Sequence, residues 1–267
     1  MAAAERFVAV DWSGRAAGAA RFTWVAEVVG GRLVALRGGR TREAVVAHLM
    51  GLDDARVTVG LDFAFSAPAW WLEELGLADA PALWAWLAAG NAEAILRAPV
   101  TPPPFWGRAG SRRSVALAGR ADLRRTERGT GARSVFQVGG AGAVGTASLR
   151  GMPLLPALAG SYAIWPWAVG ERTALEIYPR LLTGPVVKSS QAARRAYLDD
   201  RHGGQPAALL ELAASSEDAF DAAVSALAMA AAGDELRALA ATADPLTRRE
   251  GAIWAPRARP PGPPPTA

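Results

Sequence analysis

Two short stretches constrain this chain more than any other. "RFVAVD" (6–11) and "VTVGLD" (57–62) each run apolar and then stop on an acid. Apolar runs of this length, without strict alternation, read as strands buried on both faces, as in a sheet covered by helices. Between them, "ARFTWVAEVVGGRLVALRGG" (20–39) alternates and turns at Gly30-Gly31. That pattern predicts a hairpin, and with it an antiparallel meander of strands one to three. "TREAVVAHLMGL" (41–52) has helical spacing at Val45, Leu49 and Leu52. The strand–helix–strand crossover then lays the fourth strand, within 55–66, parallel to an earlier one.

The acids need a reason. In each strand the residue two before the acid, on the same face, is small: Ala9 before Asp11 and Gly60 before Asp62. Small neighbours are expected to leave room for a ligand. If the two strands are adjacent and parallel, both acids sit at one carboxyl end of the sheet, where open α/β sheets bind ligands. Glu176, in "TALEIYP", and Asp218 and Asp221, in "SSEDAFDAAVSALAMAA", share this setting. At 100° per residue, Phe220, Val224, Leu227 and Ala231 form a buried stripe, with Asp218, Asp221 and Ser225 along its edge. Asp218 also reads as a helix N-cap, and Asp11 as a turn acid bonding the amides of Ser13 and Gly14. Acids that cannot be solvated are paired, neutralised or bound to metal. No lysine lies near them in sequence, and hard oxygen ligands suit Mg²⁺ or Mn²⁺. Two such ions about 4 Å apart can activate a water and stabilise a leaving oxygen.

Composition narrows the classes. The 267 residues are 51% hydrophobic and 20% charged, enough to bury a full core and not a disordered balance. There is no cysteine, which excludes disulfides, thiolate metal sites and Cys nucleophiles and fits a reducing cytosol. "MAAAERF" lacks the features of a secretory signal, and the uncharged stretch Gly151–Gly170 is broken by Pro153, Pro156, Gly160 and Pro166. A cytoplasmic protein with no membrane contact is expected. The net charge is +4, and Lys188 is the sole lysine. Arginine grips phosphate bidentately, so this balance is compatible with nucleic acid without requiring it.

Residues 99–135 change character and are rich in Pro, Gly and Arg, an irregular insertion that extends with the following glycine loop to about 150. Between Arg108 and Arg133 it carries eight arginines (108, 112, 113, 120, 124, 125, 128, 133) against Asp122 and Glu127. The expected role is a phosphate-gripping flap, with Arg108, Arg112, Arg113, Arg124, Arg125 and Arg128 as its contacts; the bland alternative is a solvated loop. "GGAGAVG" (139–145) fits G-x-G-x-x-G but lacks the acid a dinucleotide site needs about twenty residues on. A packing or phosphate-contact loop, through Gly140 and Gly142, is the better reading. Ser13 and Gly14 read as a tight turn close to a phosphate. His202, in "DDRHGG", is a candidate proton shuttle or a solvated loop residue. Of the adjacent Trp70 and Trp71, one is expected to line a groove, since both cannot face inward on a helix. Strands are expected at "YAIWPW" and "TALEIYP", helices from there to about 242, and a disordered proline-rich tail at 259–267.

Taken in order, "VDWSG", "GLDFAFS", "RRTER", "SVFQVGGAGAVGTASLRGMPLL", "EIYP", "EDAFDAAVSALAMA" and "EGAIWAP" resemble an uncharacterised domain-of-unknown-function family regarded as nucleases of the RNase H fold. The resemblance runs from about residue 6 to residue 256. It implies a single α/β domain over 1–258, with a mixed five-stranded sheet in the order 3-2-1-4-5 and helices on both faces. It implies acids at the end of strand one, on strand four and on the last helix, positions matched by Asp11, Asp62 and Asp221, with Asp218 as the alternate. The usual glutamate on the first helix is missing; Glu176 on a late strand is a fourth ligand or an orienting base. The expected activity is metal-dependent hydrolysis of phosphodiester bonds in DNA or RNA. Two other readings stay open: a nucleotide-binding relative of actin and sugar kinases with one Mg²⁺, and a catalytically silent binding domain.

Overall fold

A computed structural model describes residues 5–257. The proline-rich tail lies outside the described residues. Strands β1 (Arg6–Asp11), β2 (Trp24–Val29) and β3 (Arg32–Gly38) form the expected meander, β1 pairing antiparallel with β2 and β2 with β3. Gly30 and Gly31 both take positive φ, 56° and 77°, the backbone that a two-residue hairpin matching strand twist requires. The crossover helix, Arg42–Met50, starts on Thr41, whose hydroxyl accepts the Ala44 amide. Strand β4 (Val57–Leu61) then lies parallel to β1, so Ala9 stands beside Gly60.

Beyond β4 the order departs from a five-stranded sheet. The neighbour of β4 is β6 (Arg172–Ile177), which in turn pairs with β5 (Ala163–Ile164) and with β7 (Ile253–Trp254). The sheet is mixed and has seven strands, in the path β3-β2-β1-β4-β6-β5 with β7 also on β6. Strand β7, which was not expected, is two residues long and too short to carry an alternation signal. "YAIWPW" yields only Ala163–Ile164 because Pro166 has no amide to donate.

Helices cover both faces. Val8 and Val10 pack with Val45, Leu49, Leu72, Leu83 and Leu149 on one side. Phe7 and Ala9 pack with Leu198, Leu210, Phe220, Val224 and Met229 on the other. The second layer centres on the helix Glu217–Ala231. Here Gly60 has a different purpose from the one its size suggested. A methyl group there would lie 2.7 Å from the Met229 sulfur and 2.8 Å from Ile177 Cγ2, so its smallness admits the helix, not a ligand. The stripe on that helix is buried at Phe220, Val224 and Leu227, but Ala231 is exposed where the helix ends.

The insertion is packed rather than loose. Phe105 and Phe136 meet Trp71 edge-on, at centroid distances of 5.3 and 5.5 Å. Trp70 lies 5.3 Å from Phe136 and donates its indole N–H to the Ala121 carbonyl at 2.7 Å. Neither tryptophan is left for an open groove, because the insertion covers both. Ser66 does not cap the next helix: it is buried and donates to the Arg249 carbonyl, while Glu250 accepts the Ala69 amide at 3.1 Å. Among the described residues no helix is long and apolar enough to cross a membrane.

Replacing Gly60 with alanine is expected to cost about 1–3 kcal/mol through overpacking against Met229 and Ile177. A urea titration followed by tryptophan fluorescence measures it.

Candidate functional site

Period two in the strands decides which acids can meet. Phe7, Ala9 and Asp11 share the face of β1 that looks at the helix Glu217–Ala231, and Gly60 and Asp62 share the corresponding face of the β4 segment. The Asp62 amide donates to the Val10 carbonyl at 3.1 Å, which carries the parallel pairing on to the acids. Across the cleft, the helix begins on Ser216, whose hydroxyl accepts the Ala219 amide. Asp218 is therefore not the cap, and neither it nor Asp221 is consumed by the helix terminus. Among the described residues the Asp11 carboxylate accepts no bond from Ser13 or Gly14; the Ser13 hydroxyl takes the Arg15 amide itself, at 3.3 Å.

The electrostatics follow from this crowding. Burial, then Asp62, Asp221 and Asp218, push the Asp11 carboxyl well above the usual carboxylate range, and Lys188 opposes them. Burial and then Asp221 push Asp62 up to about 8, again against Lys188. Asp221 is raised by burial and Asp218 by burial and Glu217. Among the described residues the one cation in direct contact is Lys188, whose Nζ lies 2.6 Å from Asp221 Oδ1. It is distant in sequence from every acid it serves, and its signal was its uniqueness in a chain whose other cations are arginines.

Glu176 belongs elsewhere. It pairs in register with Leu61, on the opposite face of the sheet from Ala9 and Gly60. Both its oxygens are committed: Oε2 accepts the Phe65 amide at 2.9 Å and Arg124 Nη1 at 2.8 Å, and Oε1 accepts Arg124 Nη2. This arrangement fits a buried counterion and leaves little for a fourth metal ligand. Arg124 is likewise no phosphate contact, since its side chain is 0% exposed. It donates Nε and Nη2 to Glu127, both Nη nitrogens to Glu176 and Nη1 to the Glu250 carbonyl, which satisfies all five guanidinium N–H groups. Burial pushes Glu127 up despite the guanidinium beside it.

The rest of the arginine flap is divided. Arg113 pairs with Asp122 and Arg125 with Asp244, and Arg108 donates to the Leu96 carbonyl. Arg112 and Arg128 are exposed and have no ion pair among the described residues. The arginines that border the acids are others: Arg133 from the insertion, Arg180 after β6, and Arg15 and Arg150 around Asp11 and Asp218. Tyr178 stands between Arg133 and Arg180 and lines the cleft with Asp62. Sequence reasoning passed over it inside "EIYP".

The turn at Ser13-Gly14 is filled by protein. A methyl on Gly14 would lie 2.4 Å from the Ala147 amide nitrogen, and Arg42 donates twice to the Ser13 carbonyl, at 3.0 and 2.9 Å. Gly140 and Gly142 are exposed turn residues with φ of 78° and 73°, and the loop they shape delivers Ala143 to the cleft wall. His202 closes the helix Gln191–His202 and lines a separate groove with Leu182, Tyr197 and Val224, with none of the carboxylates. A shuttle role at the acids has no geometric support.

Comparison with protein-family models, curated proteins and solved structures finds no match. Among the described residues, no three acidic or histidine side chains are gathered tightly enough to hold a metal ion together as they stand. The donor chemistry nevertheless fits a hard divalent cation: Asp11, Asp62 and Asp221, all raised, feel one ammonium, and Asp218 adds a fourth carboxylate beside them.

Two outcomes follow. Arg124→Met is expected to destabilise the chain by about 3–5 kcal/mol in urea, because it strands two buried carboxylates. Asp62→Asn is expected to stabilise it. With the folded pKa raised from 3.8 to about 8, the folded state binds the extra proton, so stability falls as pH rises through that window. The gain is about 1–2 kcal/mol at pH 8, reduced from the buried limit by the open cleft, and closes toward pH 4. Thermal melts at both pH values read it.

Proposed function

We propose that this chain is a divalent-metal-dependent hydrolase of phosphodiester bonds in nucleic acid, on an RNase H-like core. The observation that carries the reading is the convergence of Asp11 and Asp62, at the tips of adjacent parallel strands, with Asp218 and Asp221 on the helix laid over that same face. The strand path β3-β2-β1-β4 supports the core assignment.

Asp11, Asp62 and Asp221 would hold Mg²⁺ or Mn²⁺, with Asp218 at the rim. Bound there, the ion supplies a water of lowered pKa and positive charge for the leaving oxygen. The protein groups do the rest. Lys188 holds Asp221 in place and offsets part of the acids' repulsion. Arg133 and Arg180, with the exposed Arg112 and Arg128, present guanidinium groups to a polyanionic backbone. To hold an ion together, Asp11, Asp62 and Asp221 would have to close on one another, since among the described residues they do not form a single ligand set as they stand. The neighbouring turn at Gly14 is packed against Thr146 and Ala147, which favours this reading over a phosphate cradle of the actin and sugar-kinase type.

Wild type and Asp11→Asn, assayed on single- and double-stranded DNA, RNA and hybrid, are expected to differ by at least about a hundredfold in Mn²⁺ or Mg²⁺. Mn²⁺ is also expected to raise the melting temperature of the wild type and not of the variant. Equal trace cleavage by both proteins sinks the proposal, and stabilisation by ATP in its place supports the nucleotide-binding reading.

A further inference from the structure

The acids share their cleft with a cavity that phosphodiester chemistry alone leaves unused. It encloses about 190 Å³ at the carboxyl edge of the sheet. Trp12, Phe63, Val144 and Tyr178 form its walls, Asp62 stands at one side, and Arg133 of the insertion lines it as well. The two glutamates that also border it, Glu127 and Glu176, share the single charge of Arg124, and the negative charge left over disfavours an anion in this space. What remains suits a flat, uncharged ring. The volume is below the 300 Å³ or so of a drug-sized pocket and sufficient for one planar ring system.

Tyr178 gives the cavity its direction. It is partly exposed, and its hydroxyl reaches the Gly131 carbonyl at 3.3 Å, which holds the ring against the insertion. The same side chain also lines the adjoining cleft that contains Arg180, Lys188 and Asp221. Asp62 borders both spaces. A ring in the cavity and an anion in the cleft would thus meet across the same two side chains, Tyr178 and Asp62. Arg133 and Arg180 are exposed on either side and have no ion pair among the described residues.

We propose that this cavity receives an unpaired nucleobase next to the phosphate addressed by the acids, which makes single-stranded nucleic acid the substrate. The inference rests on the nucleic-acid reading above and deepens it. A base stacked within a duplex cannot enter a space lined by the insertion, whereas an unstacked base can lie against Tyr178.

The test uses a single-stranded oligonucleotide carrying fluorescent 2-aminopurine, with the Asp11→Asn chain and no divalent ion, so that binding is read without cleavage. Saturable quenching is expected, with affinity at least about tenfold above that for the same strand bearing an abasic site, or for a duplex. Tyr178→Phe is expected to retain the quenching and Tyr178→Ala to lose most of it, with circular dichroism confirming that both fold. Equal affinity for abasic and intact strands, preference for duplex, or quenching unchanged in Tyr178→Ala overturns the base site. Metal-dependent cleavage could survive any of those results. Base-selective quenching by a chain that never cleaves would keep the pocket and discard hydrolysis.

Discussion

One buried guanidinium holds three distant parts of this chain together. Arg124 lies in the insertion, Glu176 on the sheet and Glu250 near the far end of the described residues, and the ring of bonds among them closes with no N–H left over. Glu176 passes the connection on by accepting the Phe65 amide, just past the strand that carries Asp62. An ion group of this kind adds little net stability over a well-packed apolar one, but it tolerates few alternatives. The seating of the insertion that pairs Arg124 with Glu176 also brings Gly131, Ala132 and Arg133 over the cleft.

On the other side of the strands the charges are deliberately uneven. Asp11, Asp62 and Asp221 share a single ammonium, with Asp218 beside them, and their raised proton affinities express stability given up locally. The rest of the fold offsets this with two apolar layers and a helix packed so closely on β4 that only glycine fits at position 60. The two charge groups differ in kind: around Arg124 every donor is satisfied, whereas around Asp62 repulsion is left standing. That contrast separates scaffold from site.

Much of this was legible in the sequence, and the failures have physical causes. The meander and the crossover helix follow from period, turn glycines and the crossover rule, whereas the pairing of β4 with β1, which sets Asp11 beside Asp62, was implied only by the resemblance. Helical spacing put Asp218 and Asp221 along the edge of a buried stripe; that this helix faces Asp11 and Asp62 was again implied by the resemblance. Glu176 was misplaced because an apolar setting alone does not say which side of the sheet a carboxylate serves, and only the register with β4 decides it. The arginines could not be sorted: one that is buried and one that is solvated have the same local composition, and only tertiary partners distinguish Arg124 from Arg128. Strand β5 was expected within "YAIWPW" but is shorter than that stretch, and β7 escaped because two residues carry no periodicity. Lys188 and Tyr178 were missed because their meaning lies in what the fold brings beside them.

The position of β7 also bears on how the chain reaches this structure. Ile253 pairs with Glu176 and forms part of the cavity wall, and the Glu250 carbonyl takes a bond from Arg124. During synthesis the first four strands emerge long before these residues. The insertion lacks the last of its anchors until residue 250 leaves the ribosome, since the Glu250 carbonyl completes the acceptors of its buried arginine. Contacts this far apart in sequence form slowly. The cleft is thus assembled last, and a nascent chain carries its acids well before it has the enclosed surface to present anything to them.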